Sequence, residues 1–480
     1  MRTTRRDLFS GSAAAALLAT IPQAKAASVK MLTATTRSLD VNGKAASVFA
    51  LLGPDGKPGV TLYPGERFAM TLNNQTDKPT IIHWHGQLPD WKQDGFPWPQ
   101  TPAIPAGMRK AYDYAPIPGT FWMHSHEGMQ EQRLMAAPLI VHDEASILAD
   151  TQEVVLMLHD FSFKTPEELL AGLTKKDGMT GGNMGSMGGM KMNAGGMGNM
   201  DMGSGGMTGG ADLNDIDFDA YLANERTLRD PQIFRAAPGQ VIRLRIINGA
   251  SSTNFWIDLG QLSGKIIAVD GHDVAPVSGS HFPIAMAQRL DLLLRLPADG
   301  AYPVLAQVEG KKDRTGIILA TPGATIGIIS EQAAMVAPGV DLSLETRLMA
   351  ASPLAAERTD STLPLKLGGN MTSYVWTLNG KAWPNPDVLM VKPGQRVVID
   401  MLNDSTMSHP MHLHGHAFQV VAINDMPISG AVRDTVLVPA MGKVRIALDA
   451  NNPGRWALHC HNMYHMEAGM MTEVRYPGVI

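Results

Sequence analysis

Cysteine is almost absent: Cys460 is the only one in 480 residues. A disulfide framework is therefore excluded, and the thiol is either an inert buried hydrophobe or one whose sulfur is occupied by something other than a second cysteine. Membrane-length apolar runs are also missing. The stretch from Ala13 to Ile21 falls well below the roughly 18 residues a span requires, so no span is expected. Long helical periodicity is scarce, whereas short Val/Ile/Leu-rich runs bounded by Pro-Gly and Asn-Gly recur, which points to an all-β chain. An excess of positive charge is lacking as well; a formal net charge of -5 argues against a nucleic-acid partner. With 44% hydrophobic and 18% charged residues, the composition is that of a soluble globular protein with several cores.

The N-terminus reads as an address. Thr4-Arg5-Arg6-Asp7-Leu8-Phe9, the apolar stretch behind it and the small-residue site Ala24-Lys25-Ala26 have the parts of a twin-arginine signal peptide over residues 1–26. The implied destination is the periplasm, with a mature chain beginning near Ala27. The segment carries Arg2, Arg5, Arg6 and Lys25 against Asp7, a net +3, so its removal takes the charge from -5 to -8.

At about 150 residues per domain the length suggests three, and an internal triplicate supports this. Pro64-Gly65 followed by Glu66 to Asn73 is matched by Pro238-Gly239 with Gln240 to Asn248, and by Pro393-Gly394 with Gln395 to Asn403. A second pattern follows. Pro118-Gly119-Thr120-Phe121-Trp122-Met123-His124-Ser125-His126 in the first copy corresponds to Pro453-Gly454-Arg455-Trp456-Ala457-Leu458-His459-Cys460-His461 in the last. The middle copy has Leu305 and Gln307 where the others have histidines. Domains are expected over 27–145, 146–351 and 352–480, each a β-sandwich, the middle one without ligands. Its extra length includes a Met/Gly-rich, low-complexity segment, 178–210.

Ten of the fifteen histidines fall into four groups: His83 and His85; His124 and His126; His409, His412 and His414; His459, His461 and His465. A single His-x-His means little, because alternate residues of a strand share a face. Four groups confined to the first and third copies point to metal. In His459-Cys460-His461 the period of two sends the histidines to one face and Cys460 to the other, so one segment serves two sites. A thiolate with two imidazoles and a weak thioether selects copper in a trigonal electron-transfer site; His409, Cys460 and His465 supply the strong ligands and Met470 the axial one. The remaining eight imidazoles are too many for one metal and imply a cluster between two domains. His142, His159, His272, His281 and His416 fall outside these positions and are read as structural.

His83-Trp-His-Gly, His124-Ser-His, His409-Pro-Met-His-Leu-His and His459-Cys-His-(x3)-His-(x4)-Met resemble the four copper motifs of the multicopper oxidases, over the whole mature chain. The resemblance implies three cupredoxin-like Greek-key sandwiches and four copper ions. A type 1 copper would lie in the third domain. His83 and His412 would bind the type 2 copper, His85, His124 and His461 one type 3 copper, and His126, His414 and His459 the other. Substrate electrons would cross Cys460 to the cluster, where dioxygen becomes water. Oxygen reduction consumes protons, so a carboxylate relay is expected; Asp94, eleven residues after His83, matches the family aspartate. Some bacterial members have an acidic residue where this chain has Met466, and Glu467 is the candidate replacement.

The donor is expected to be Cu(I), a phenol, or both. Met179, Met184, Met187, Met190, Met192, Met197, Met200, Met202 and Met207 are spaced by glycine so that they form no apolar face, and thioethers prefer Cu(I). Met407, two residues before His409, resembles a substrate-copper methionine of the copper-efflux oxidases, although Ser405 stands where their aspartate would be. The implied protein is a monomeric cuprous oxidase with laccase-like activity, serving copper tolerance. Competing readings are a ferroxidase or general laccase, a copper nitrite reductase, and a copper-free three-domain relative that stabilises the cell-division machinery; the last would lack the ligand set.

Overall fold

The structure, a computed structural model, describes residues 30–149, 151–174, 213–355 and 357–479. The signal segment and the Met/Gly-rich segment 178–210 lie outside the described residues, and with them every methionine from Met179 to Met207.

The repeated Pro-Gly motif has the same structural role three times. Gly65, Gly239 and Gly394 have φ of 79°, 77° and 79°, which a turn tolerates at low cost only with glycine. Each turn launches a strand, Phe68–Asn74, Val241–Asn248 or Arg396–Asn403. Each of these runs parallel to the strand opening its own unit, Lys30–Val41, Gln152–Phe161 or Ser361–Asn370. On its other edge each pairs antiparallel, with Arg109–Tyr114, Arg289–Arg295 or Lys443–Asp449. A second sheet covers the first in every unit. In the first unit it contains Ile82–His85, Gly119–Ser125 and Ala136–Val141. In the third, Arg455–Cys460 lies between His409–Leu413 and Met471–Arg475.

The fold is thus all-β, built of three cupredoxin-like sandwiches. Alternate side chains of the facing sheets fill three main cores: Leu72, Trp84 and Phe121 in the first, Leu244, Ile257 and Leu292 in the second, Ile399, Phe418 and Trp456 in the third. The third core takes in residues from the middle unit. Leu169 and Leu173, one turn apart on the helix Pro166–Thr174, and Ile216 pack into it. Both flanks of segment 178–210 are thereby fastened to the third sandwich.

Register and residue identity explain why the described residues of the middle unit form no such site. His83 pairs with His124 and His412 with His459; the matching pair in the second sandwich is Asp258 with Leu305. Among the described residues no metal-type cluster uses a side chain from 146–351.

Candidate metal centre

Strand Arg455–Cys460 and the short helix Met463–Glu467 build the first site. Asn462 caps that helix, its side-chain oxygen accepting from the Tyr464 and His465 N–H groups, and the tight turn returns His465 to Cys460. Cys460 Sγ lies 3.7 Å from Nδ1 of His409 and 3.7 Å from Nδ1 of His465, and the two Nδ1 atoms are 3.1 Å apart. Met470 is also buried here, and its carbonyl accepts from the Cys460 N–H at 3.1 Å. On the outer side, His409 Nε2 is hydrogen-bonded with Ser405 Oγ at 2.8 Å, and Asp215 Oδ2 lies 3.0 Å from His465 Nε2. Asp215 also accepts from Tyr374 and Asn462. Burial pushes the Cys460 thiol well above its ordinary range and His409 well below. A thiol and two imidazoles converging in a dry pocket offer soft donors to one point, and a soft cation is what completes them.

The other eight histidines meet on the opposite side of the same strand. His85, His124 and His461 form one compact triad and His126, His414 and His459 another, each with one ligand atom per residue within 4.8 Å of the rest. His83 Nε2 lies 3.3 Å from His412 Nε2, His414 Nε2 3.0 Å from His459 Nε2, and His85 Nδ1 3.4 Å from His124 Nε2. Burial, reinforced by neighbouring imidazoles, holds His85, His126, His412, His414 and His461 well below the usual range and His459 at about 3. All are neutral at ordinary pH, with lone pairs available. Nε2 of His126 and of His461 is buried without a partner. Two orphaned nitrogens at the centre of a histidine cage are costly unless a cation takes them.

The outward nitrogens are fixed by carbonyls and carboxylates. His83 Nδ1 donates to the Asp94 carbonyl at 2.9 Å, His412 Nδ1 to the Asp434 carbonyl at 2.8 Å, and His459 Nδ1 to its neighbour Cys460 at 2.9 Å. Asp94 itself is fully buried at the end of the turn Trp91–Gln93. Its Oδ2 accepts from His414 Nδ1 at 2.8 Å, and Oδ1 has no hydrogen-bond partner.

Two expectations need correction. Glu467 is exposed and makes no hydrogen bond to a cluster histidine, so it does not replace the missing carboxylate. Glu131 is there instead, from the turn Glu131–Arg133 of the first sandwich, with Oε2 2.7 Å from His124 Nδ1 and Oε1 3.9 Å from His461 Nδ1. Burial pushes its carboxyl well above the ordinary range. Met407 is 3% exposed and packs in the third core, so its thioether is not presented to solvent; Ser405 contacts His409 directly. The histidines read as structural have ordinary partners: His159 donates to the Gly249 carbonyl, His416 bonds Tyr476, and His281 stacks on Trp256. Glu131, Asp215 and Asp434 were missed because a lone acidic residue carries no spacing signal. The one available cue was Glu131's position seven residues beyond His124.

Family models described as "Multicopper oxidase" match residues 34–146, 153–333 and 358–478. The chain is 34% identical over 481 residues to the multicopper oxidase MmcO of Mycobacterium tuberculosis, covering 97% of this chain and 92% of that protein. It is 26% identical over 590 residues to a copper resistance protein A homolog of Pseudomonas syringae pv. tomato, covering 99% of each. In fold it is similar to Fet3p, described as a multicopper oxidase that functions in iron import, with a TM-score of 0.76, 18% identity and coverage of 93% and 90%.

Proposed function

Because this chain belongs to the multicopper oxidases, an oxidoreductase family that uses oxygen, we propose that it holds four copper ions and oxidises Cu(I), and secondarily phenols, in copper tolerance. His409, Cys460, His465 and Met470 would hold the type 1 copper and His83 with His412 the type 2. His85, His124 and His461 would hold one type 3 copper, and His126, His414 and His459 the other. Copper bound there supplies the redox chemistry: single electrons are taken from a donor and four are delivered to dioxygen, giving two waters.

The observation that carries this reading is the division of strand Arg455–Cys460 and the residue after it between two sites. Cys460 faces His409 and His465, while His459 and His461 on either side of it face the two imidazole triads. An electron entering at the thiol side thus has a route of a few covalent bonds to the cluster, and the donor never needs to approach the oxygen site. Asp94 and Glu131, buried against His414 and His124, are the groups in place to pass protons inward. Every ligand position of the family pattern is filled, so nothing favours a copper-free scaffold.

Cu(I) as donor is supported by three things. The relative from Pseudomonas is named for copper resistance. Nine methionines lie in segment 178–210, whose flanks are fastened to the third sandwich. Asp215, whose Oδ2 lies 3.0 Å from His465 Nε2, follows Gly210 by five residues, at most about 18 Å of extended chain. Export by the twin-arginine route to the periplasm would put the enzyme where copper enters. Steady-state kcat/KM for Cu(I), Fe(II) and a phenol on fully loaded protein tests the reading. Cu(I) is expected to exceed the other two; a phenol or Fe(II) preferred over Cu(I) would replace it with a laccase or ferroxidase.

A further inference from the structure

The middle sandwich gives no histidine to any cluster, yet one of its side chains reaches the cluster's wall. Arg289, the first residue of strand Arg289–Arg295, is fully buried where the three sandwiches meet. Its Nε donates to the Thr120 carbonyl of the first sandwich at 3.2 Å. Its Nη1 donates to Asp434 Oδ1 of the third at 2.8 Å, and its Nη2 to Oδ2 of the same carboxylate. This two-point fork fixes the plane of the carboxylate. Asp434 Oδ1 also accepts from Thr435 Oγ1 at 2.9 Å and lies 3.1 Å from His85 Nε2.

That last contact turns His85 around. His83, His412, His414, His459 and His124 all direct Nδ1 outward to a carbonyl or carboxylate, which leaves Nε2 facing the cluster. His85 does the reverse: Nε2 faces Asp434, and Nδ1 faces His124 Nε2. A carboxylate gripped by arginine can only accept, so the proton of His85 must be on Nε2 and its lone pair on Nδ1. A half-turn of the ring would swap the nitrogens and move the lone pair.

The backbone next door is shaped around the same pair. Gly86, at φ 83°, follows His85 directly; a Cβ there would lie 2.4 Å from Asp434 Oδ2, 2.7 Å from Arg289 Nη2 and 2.7 Å from Phe121. Any larger residue would displace the carboxylate and guanidinium that hold the ring.

We propose that Arg289 and Asp434 are positioning residues which set the tautomer and orientation of His85, so that the ligand-free middle sandwich governs assembly of the type 3 copper held by His85, His124 and His461. This rests on the copper assignment above. Outer partners of metal-bound histidines typically change affinity or activity about 10–100-fold when removed.

The test uses Arg289→Lys, Asp434→Asn and Gly86→Ala in the full, copper-loaded chain. Copper per chain and the paramagnetic resonance of the resting protein are measured, with stopped-flow reduction of the blue site and its reoxidation by dioxygen. The expected result is unchanged blue absorbance and unchanged reduction, with reoxidation slowed about 10-fold or more. Either cluster copper is lost, or copper that is silent when coupled in a pair becomes visible. Arg289→Lys keeps the charge and loses the fork, so it decides the matter if Asp434→Asn does not accumulate. Variants that melt earlier but keep full copper, a silent pair and wild-type reoxidation would reduce the residues to mere structural cement and overturn the proposal. A wild-type protein that binds copper only at the blue site would instead overturn the copper assignment on which it stands.

Discussion

Burial holds the Cys460 thiol in its neutral form in the metal-free protein, and a bound cation is what stabilises the thiolate. Thiolate-to-copper charge transfer gives such a site its colour, so Cys460→Ser is expected to be colourless and inactive with every donor. A blue Cys460→Ser protein would refute the type 1 assignment. His126 has a different place: its Nε2 is an orphan in the cluster and touches none of the thiol-site ligands. His126→Ala should keep the blue absorbance while oxygen consumption falls to background, and wild-type consumption would mean the cluster is wrongly drawn. Two histidines outside both sites set an acid limit. Burial holds His159 and His416 at about 4, though each has a backbone carbonyl bond that works the other way. Unfolded, they titrate near 6.5. Between those values the unfolded chain binds more protons, so stability falls as the pH drops from about 6.5 towards 4, by about 2 kcal/mol per residue at pH 5. Urea unfolding of the metal-free protein at pH 7 and pH 5 measures this, and His159→Gln should show a smaller difference than wild type.

At the scale of elements, short turns deliver carboxylates to a cage that strands have built. The turn Glu131–Arg133 places Glu131 against His124, whereas the helix Met463–Glu467 leaves Glu467 in solvent. Glu131→Ala is therefore expected to lose cluster copper to a chelator about 10–100-fold faster than wild type, with Glu467→Ala indistinguishable from wild type. Copper retained per chain after timed dialysis decides it, and the opposite ranking would restore Glu467. The strands themselves were legible in the sequence for a physical reason: period-two alternation shows in His459-Cys460-His461 without any knowledge of the fold, and Pro-Gly announces the same turn three times. The carboxylates were not legible, because their meaning comes from partners far away in the chain. His85 and Asp434 are 349 residues apart, and Asp215 and Asn462 are 247 apart. No local pattern distinguishes a buried aspartate that orients an imidazole from one that is hydrated. Met407 failed in the opposite way: its spacing from His409 fitted a known pattern, but the neighbouring Ser405 took the contact and the thioether turned into the core.

For the molecule as a whole, the three sandwiches divide the work. On the proposed reading the third would take the electron and the first and third would share the oxygen site, while the second fastens the flanks of the methionine-rich segment to the third core through Leu169, Leu173 and Ile216. Asp215 Oδ2, in the chain just beyond that segment, lies 3.0 Å from His465 Nε2, so the segment is anchored at both ends on the sandwich that carries the thiol site. A tether raises the local concentration of whatever the segment binds, and thioethers bind Cu(I) well and phenols hardly at all. Deleting residues 178–210 should therefore raise the apparent KM for Cu(I) roughly ten-fold or more while leaving the blue absorbance and copper content unchanged. Phenol oxidation should persist, or rise if the segment obstructs a bulky donor, and stimulation of phenol oxidation by added copper should fall. The comparison is kcat/KM for Cu(I) and for a phenol, on full-length and deleted proteins of equal copper content. Equal losses on both donors would assign the segment a structural role, since damage to the third sandwich cannot discriminate between them. No loss on either would make it a linker. Only a loss confined to Cu(I) fits a collector of soft cations, because both donors share every later step from Cys460 to the cluster.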